Sequence, residues 1–172
     1  MILRPSFWTL CIIVGASILI AGCGAAQRNN RVVQFCLYDT AGINDLRSVM
    51  QEFADAQSMP FIDNSAQTQA ELQRIGVDSR PLPEGEPLIN MGINGPGGLG
   101  VTAGNLGLPG YQVALGFTKG TDAAKGKAFA DALVRELDQR WELVEVPNPD
   151  ERGAFPLPNC AGEPAARRPS SP

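Results

Sequence analysis

Acidic and thiol side chains are the groups of this chain best suited to chemistry, because none of its 172 residues is histidine. Without imidazole the usual general base near neutral pH, the Ser-His-Asp relay and the commonest metal ligand are all missing. Asp39 falls where the first apolar run gives way to a helical pattern, and Asp63 follows a short second run. Two such carboxylates can share acid and base work if the fold brings them to one substrate. Each is equally suited to accepting backbone N–H groups at a turn or a helix start. Structural use is the expectation for both.

Two further segments carry residue types that chemistry can use. Residues 95 to 110 hold seven glycines and two prolines, and Gly95, Gly97, Gly98 and Gly100 have the look of a phosphate loop. The context argues against it. A dinucleotide fingerprint opens a helix after a strand, whereas Pro96 and β-like alternation follow here, with no Gly-Lys-Ser/Thr element. A hairpin connection is the expectation instead. Lys119 and the amides of Gly120 to Asp122 could hold an anion at a helix start, although Asp122 itself suits that positive end. No cofactor is expected, and two distant cysteines without histidine give no structural metal site.

The position of the cysteines carries more information. Arg4 precedes a largely apolar run from Phe7 to Gly22, and small residues stand before Cys23. Ile20, Ala21, Gly22 and Cys23 resemble the lipobox of the bacterial lipoproteins, so residues 1–22 are expected to be a signal peptide. The resemblance is confined to these first two dozen residues. It implies cleavage between Gly22 and Cys23, a diacylglyceryl thioether on the Cys23 sulfur and an acyl chain such as palmitate on its new amino group. Two or more chains give a stable anchor, since each buried methylene contributes about 0.8 kcal/mol. An uncleaved spanning helix would need about 20 apolar residues, and this run gives way to Gln27, Arg28, Asn29, Asn30 and Arg31. Gly24, a residue other than Asp after the lipidated position, resembles cargo of the outer membrane facing the periplasm. In a Gram-positive organism the same signal would leave the protein on the outer leaflet of the cell membrane. Residues 23–30 form a short polar tether that reaches about 25 Å when extended.

Removal of residues 1–22 takes away one arginine and no acid, leaving 13 basic and 18 acidic residues, a charge of −5. No cluster of Lys and Arg offers a phosphate-binding surface, so nucleic acid is excluded as an expected partner. The acyl chains, not charge, would hold the membrane. Cys11 leaves with the signal peptide and Cys23 carries lipid, so Cys36 and Cys160 remain. In an exported protein they have one intramolecular pairing, a Cys36–Cys160 disulfide. The alternative is a buried strand thiol at Cys36 and a free, exposed one at Cys160.

The elements that must position these groups follow from periodicity. Arg31 to Asp39 reads as a strand, and Asp39 or Thr40 caps a helix with Ile43, Leu46, Met50, Phe53 and Gln57 on one side, ending near Ser58 before Pro60. Pro60 to Ile62 reads as a short strand, Gln67 to Ile75 as a helix, Val77 to Pro87 as a loop and Leu88 to Ile93 as a strand. A weak strand is expected at Gly100 to Ala103. Tyr111 to Thr118 alternates strictly, which predicts a strand packed on one side. Thr121 is expected to cap a helix to Arg140 with Ala124, Ala128, Phe129, Ala132, Leu133, Leu137 and Trp141 inward, and with Asp131–Arg135 and Glu136–Arg140 pairs outside. Glu142 to Val146 closes the domain, and residues 161–172 lack the apolar content to fold.

This order predicts one α+β domain over 31–160, a mainly antiparallel sheet with helices on one face and a ferredoxin-like arrangement. Leu99, Val101, Leu106 and Leu108 either fold into that sheet or present an edge to a partner. The functional expectation is a lipid-anchored envelope protein whose domain is a non-catalytic binding or accessory module. An envelope hydrolase using carboxylates or Ser without His is the alternative.

Overall fold

The structure is a computed structural model that describes residues 31–75, 87–108, 111–146 and 160. The signal peptide, Cys23, the tether, loop residues 77–86 and the tail at 161–172 lie outside them. In chain order the elements are β1 (Arg31–Cys36), α1 (Thr40–Ala56), β2 (Phe61–Asp63), α2 (Ser65–Arg74), β3 (Asn90–Asn94), β4 (Leu99–Gly104), β5 (Gln112–Lys119), α3 (Ala123–Asp138) and β6 (Val144–Glu145), with a short 3₁₀ turn at Pro96–Gly98. The six strands form one sheet in the order β2-β3-β4-β5-β1-β6. Every neighbouring pair is antiparallel, and three helices pack against the sheet. The chain is therefore a mixed α+β domain, as its alternation of apolar runs and helical stripes requires.

Registered partners share a face, so the pairing assigns each strand residue to one side. One row runs Phe61, Ile93, Val101, Phe117, and the next contains Met91, Ala103, Leu115 and Val33. Apart from Phe61, which is partly buried against them, these residues join Ile43, Leu46, Val49, Met50 and Ala54 of α1 and Phe129, Ala130, Leu133 and Leu137 of α3 in one buried cluster. Helices α1 and α3 thus cover the same face. Phe35 and Trp141 stack with ring centroids 5.2 Å apart, and Phe129 meets Phe117 and Phe53 edge-on.

The α3 stripe differs from the sequence expectation. Ala124 and Ala128 are exposed, and Gly126 and Ala130 are buried in their place. A β-carbon at Gly126 would stand 2.5 Å from the Lys119 Cα, so the helix can approach β5 only where it has no side chain. The expected Asp131–Arg135 ion pair is replaced. Asp131 binds Lys127 and Arg31, while the Arg135 guanidinium donates to the Asp131 carbonyl at 3.3 Å. Asp122 rather than Thr121 caps the helix, accepting the N–H groups of Ala124 and Lys125.

The second face is built differently. One row reads Ile62, Gly92, Thr102, Gly116, Val32; another reads Asn90, Gly104, Ala114, Gln34, Val144. Small and polar residues dominate it; α1 and α3 lie on the other side, and α2 meets this face at Asn90, whose side chain donates to Thr68 at 2.8 Å. Strand β5 is nonetheless enclosed on both sides, since Gln112 and Gly116 are buried there. The one-sided packing expected of this strand is corrected by that burial.

Candidate functional site

The two acids singled out by position are separated by the sheet order. Asp39 follows β1 and Asp63 ends β2, with β5, β4 and β3 between, so four interstrand steps of about 4.8 Å hold them about 19 Å apart. They do not form an acid–base pair. The Asp39 carboxylate accepts the Gly42 N–H at 2.7 Å and caps α1. Asp63 accepts the Ser65 N–H at 3.0 Å and the Arg47 Nε at 2.7 Å. Burial alone would raise the Asp63 carboxyl, but the hydrogen bonds from Ser65 and Arg47, with the Arg47 charge, bring it below its ordinary value of 3.8. A carboxyl held down in this way stays ionised at neutral pH and is poorly suited to donate a proton.

Ser65 sits at the start of α2 beside Asp63, which is where a nucleophile without histidine would be sought. Its hydroxyl oxygen instead accepts the Asn90 N–H at 3.0 Å, and the Asn90 side chain donates to Thr68 at 2.8 Å. These bonds fasten α2 to the first residue of β3. Asp131 is likewise structural. Hydrogen bonding from Lys127 comes first in lowering its carboxyl; desolvation opposes it, and the charges of Lys127 and Arg31 with a hydrogen bond from Arg31 add to the lowering. Among the described residues no group of three or more Cys, Asp or Glu is arranged to hold a metal ion.

The glycine-rich stretch is a joint between turns. The carbonyl of Gly97 accepts the Thr121 N–H at 3.1 Å, and Gly95 donates to the Leu99 carbonyl at 2.7 Å. Gly97, Gly98 and Gly120 take left-handed backbone angles, and a β-carbon on Gly120 would meet the Leu99 nitrogen at 2.8 Å. A strand, not a helix, follows the turn. At the anion site considered around Lys119, the Asp122 carboxylate already accepts the free amides of the helix start at 3.0 and 3.1 Å.

Leu99, Val101, Leu106 and Leu108 are split by the fold. Val101 and Leu108 are buried, Leu99 packs partly against the core, and Leu106 stands 59% exposed at the turn after β4. Leu106 is thus the member of the set offered to solvent. Near it, at the same end of the sheet, Tyr38 and Tyr111 both adopt positive φ, 69° and 55°, and the Leu37 N–H donates to the Tyr111 carbonyl at 2.9 Å. Two non-glycine residues in this region mark a sheet end whose backbone is held by its surroundings against local preference. Nothing in the residue types signals it, since tyrosine favours extended strands. Cys36, the last residue of β1, is bonded to Cys160 at this end, with Cα atoms 5.3 Å apart.

A buried polar pair escaped the sequence reading. Gln112 Nε2 donates to Gln34 Oε1 at 2.9 Å, and both side chains are almost wholly out of solvent although they lie on the face away from α1 and α3. The available signal was glutamine inside two apolar strand patterns. Among the described residues no helix is long and apolar enough to cross a membrane. No family model, curated protein or solved structure matches this chain.

Proposed function

We propose that this chain is a lipid-anchored cell-envelope protein whose single domain, residues 31–160, is a non-catalytic binding or accessory module. The observation that carries the anchor is the run Ile20, Ala21, Gly22, Cys23 behind an apolar segment and one arginine. Acylation of Cys23 would hold the domain within a short tether of the bilayer. With Gly24 after the acylated residue, the periplasmic side of the outer membrane is the favoured location in a Gram-negative cell. A non-catalytic role is supported by how the candidate groups are spent: Asp39, Asp63, Asp122 and Ser65 each satisfy a backbone N–H of a helix start or strand. The partner would be another envelope protein.

The finer fold assignment belongs with this reading. Setting aside β2, α2 and β3 leaves β1-α1-β4-β5-α3-β6, whose strands lie in the order β4-β5-β1-β6. That is the order of a split βαβ repeat, which supports a ferredoxin-like core with an inserted strand–helix–strand at one edge.

The test is metabolic labelling with palmitate followed by fractionation, comparing the parent with Cys23→Ser. The parent should take up label and sediment with membranes, and the variant should do neither. An unlabelled parent in the soluble fraction would overturn the anchor. Crosslinking in intact cells then addresses the module: a stoichiometric partner supports it, whereas substrate turnover by the purified protein would replace it with an enzyme.

A further inference from the structure

The direction of each strand fixes which turns lie at which end of the sheet. Strand β1 begins at Arg31, which is paired with Phe117 of β5. Two residues further along β5, Lys119 is paired with Leu99, the first residue of β4. The turn Pro96–Gly98 and the turn at 120–122 therefore stand beyond Arg31 at the same end, joined where the Thr121 N–H donates to the Gly97 carbonyl at 3.1 Å. Pro60, between α1 and β2, lies there too, since its carbonyl accepts the Asn94 N–H at 3.2 Å. Tyr38 and Leu106 belong to the opposite end, past Cys36 and Gly104. Arg31 is held at the near end by two elements at once: its Nε donates to Glu145 beside β1 at 2.6 Å, and Nη1 donates to Asp131 of α3 at 2.8 Å. These bonds fix the point where the chain enters the domain.

We propose that this end of the sheet is the surface that lies against the lipid headgroups, with the turns Pro96–Gly98 and 120–122 nearest the bilayer. The orientation rests on the acylation of Cys23. Only residues 24–30 separate Cys23 from Arg31, and a chain of that length reaches about 25 Å at full extension. Tyr38 stands seven residues past Arg31, about 23 Å along the strand direction. Bringing the opposite end to the bilayer would take up the whole reach in running back along the sheet, with none left to clear the body of the domain. At the near end the same length is slack.

The residues exposed at this end suit a headgroup layer. Pro96, Gly97, Gly98, Lys119, Thr121 and Lys125 all face solvent. No large apolar side chain stands among them, so the surface rests at the headgroups and does not enter the hydrocarbon. Charge does not set the orientation. Asp122 lies 3.9 Å from Lys125, and Glu52 and Asp55 are exposed toward the end of α1, so the lysines are balanced by acids. The tether sets it, and it carries Leu106, 59% exposed, away from the bilayer.

The test uses the full chain, expressed with its signal peptide, purified and reconstituted with vesicles of phosphatidylethanolamine and phosphatidylglycerol that carry a nitroxide on some headgroups. A fluorophore is coupled at Lys125→Cys in one sample and at Leu106→Cys in another, both exposed positions. In protein that floats with the vesicles, the fluorophore at position 125 should be quenched several-fold more strongly than the one at 106. Equal quenching, or stronger quenching at 106, in floated protein would overturn the orientation while the anchor stands. Protein that does not float would overturn anchor and orientation together. A Gly-Ser insert of about 15 residues after Asn30, which raises the extended reach to about 75 Å, should bring the two signals together. A ratio unchanged by the insert would overturn the tether as its cause.

Discussion

Gly42 lies so close to Leu37 that a β-carbon built on it would stand 2.3 Å from the Leu37 carbonyl oxygen. The same device recurs at Gly126, where a β-carbon would meet the Lys119 backbone at 2.5 Å. In both places an aspartate caps the helix, Asp39 for α1 and Asp122 for α3, and a glycine within the next four residues lets the first turn press on the strand just left. The two strand–helix units are thus built alike, and they lie beside each other through the pairing of β1 with β5.

From this contact Gly42→Ala is expected to destabilise the domain by about 1–3 kcal/mol or more, the range for forcing a methyl group into a filled site. Backbone has no rotamer to yield, which favours the upper end. Gly104→Ala is the control, since its nearest contact would be an ordinary 3.6 Å. Urea denaturation of the two variants should separate them clearly, and equal midpoints would show that α1 shifts to make room.

Asn105 clamps the chain on both sides of β3 and β4. Its side-chain oxygen accepts the Ile89 N–H at 2.7 Å and its amide donates to the Pro87 carbonyl at 3.1 Å. The residue is buried, so Asn105→Ala leaves a donor and an acceptor without partners and should cost about 1–3 kcal/mol. Asn105→Asp keeps the acceptor but removes the donor and introduces a charge, and it should be no better tolerated. Thermal unfolding of both variants checks the order.

Most elements were legible because their signals are local. The alternation of Val113, Leu115 and Phe117 located β5, and Pro60 ended α1 in advance of β2. Sheet order was not legible, because the pairing of β1 with β5 joins residues 86 apart at Arg31 and Phe117, and no local pattern encodes it. The inward stripe of α3 was misplaced for a related reason: alanine suits either environment, whereas the closeness of Gly126 to Lys119 is a property of the assembled pair. For the candidate site, the pattern showed the apolar character of residues 99–108 but not the turn that sends Leu108 inward and Leu106 outward.

Asp63 gives the domain an acid-sensitive joint. Its folded carboxyl lies below the ordinary 3.8, so the folded state binds this proton more weakly than the unfolded state. The stability it contributes is present above 3.8 and is lost as pH falls through the folded value. In Asp63→Asn the remaining oxygen can still accept the Ser65 N–H, which isolates the charge. The parent should therefore be more stable than Asp63→Asn at pH 7, and the gap should shrink as the pH drops below 3.8. A gap that is constant with pH would assign the effect to packing rather than to ionisation.

The Cys36–Cys160 bond closes a loop spanning 124 residues, nearly the whole domain. In the chain-entropy picture such a crosslink raises the free energy of the unfolded state by about 4–5 kcal/mol. Because Cys36 ends β1 and its side chain lies on the face away from α1 and α3, breaking the bond should leave the α1–α3 core in place. Cys160→Ser is expected to keep its far-ultraviolet circular dichroism while its urea midpoint falls by about 2 M, taking a urea slope near 2 kcal/mol/M. Chemical reduction of the parent should reproduce that shift, and Cys160→Ser should show no further change on reduction. A midpoint unchanged by reduction would mean that the crosslink adds nothing to the stability of the fold.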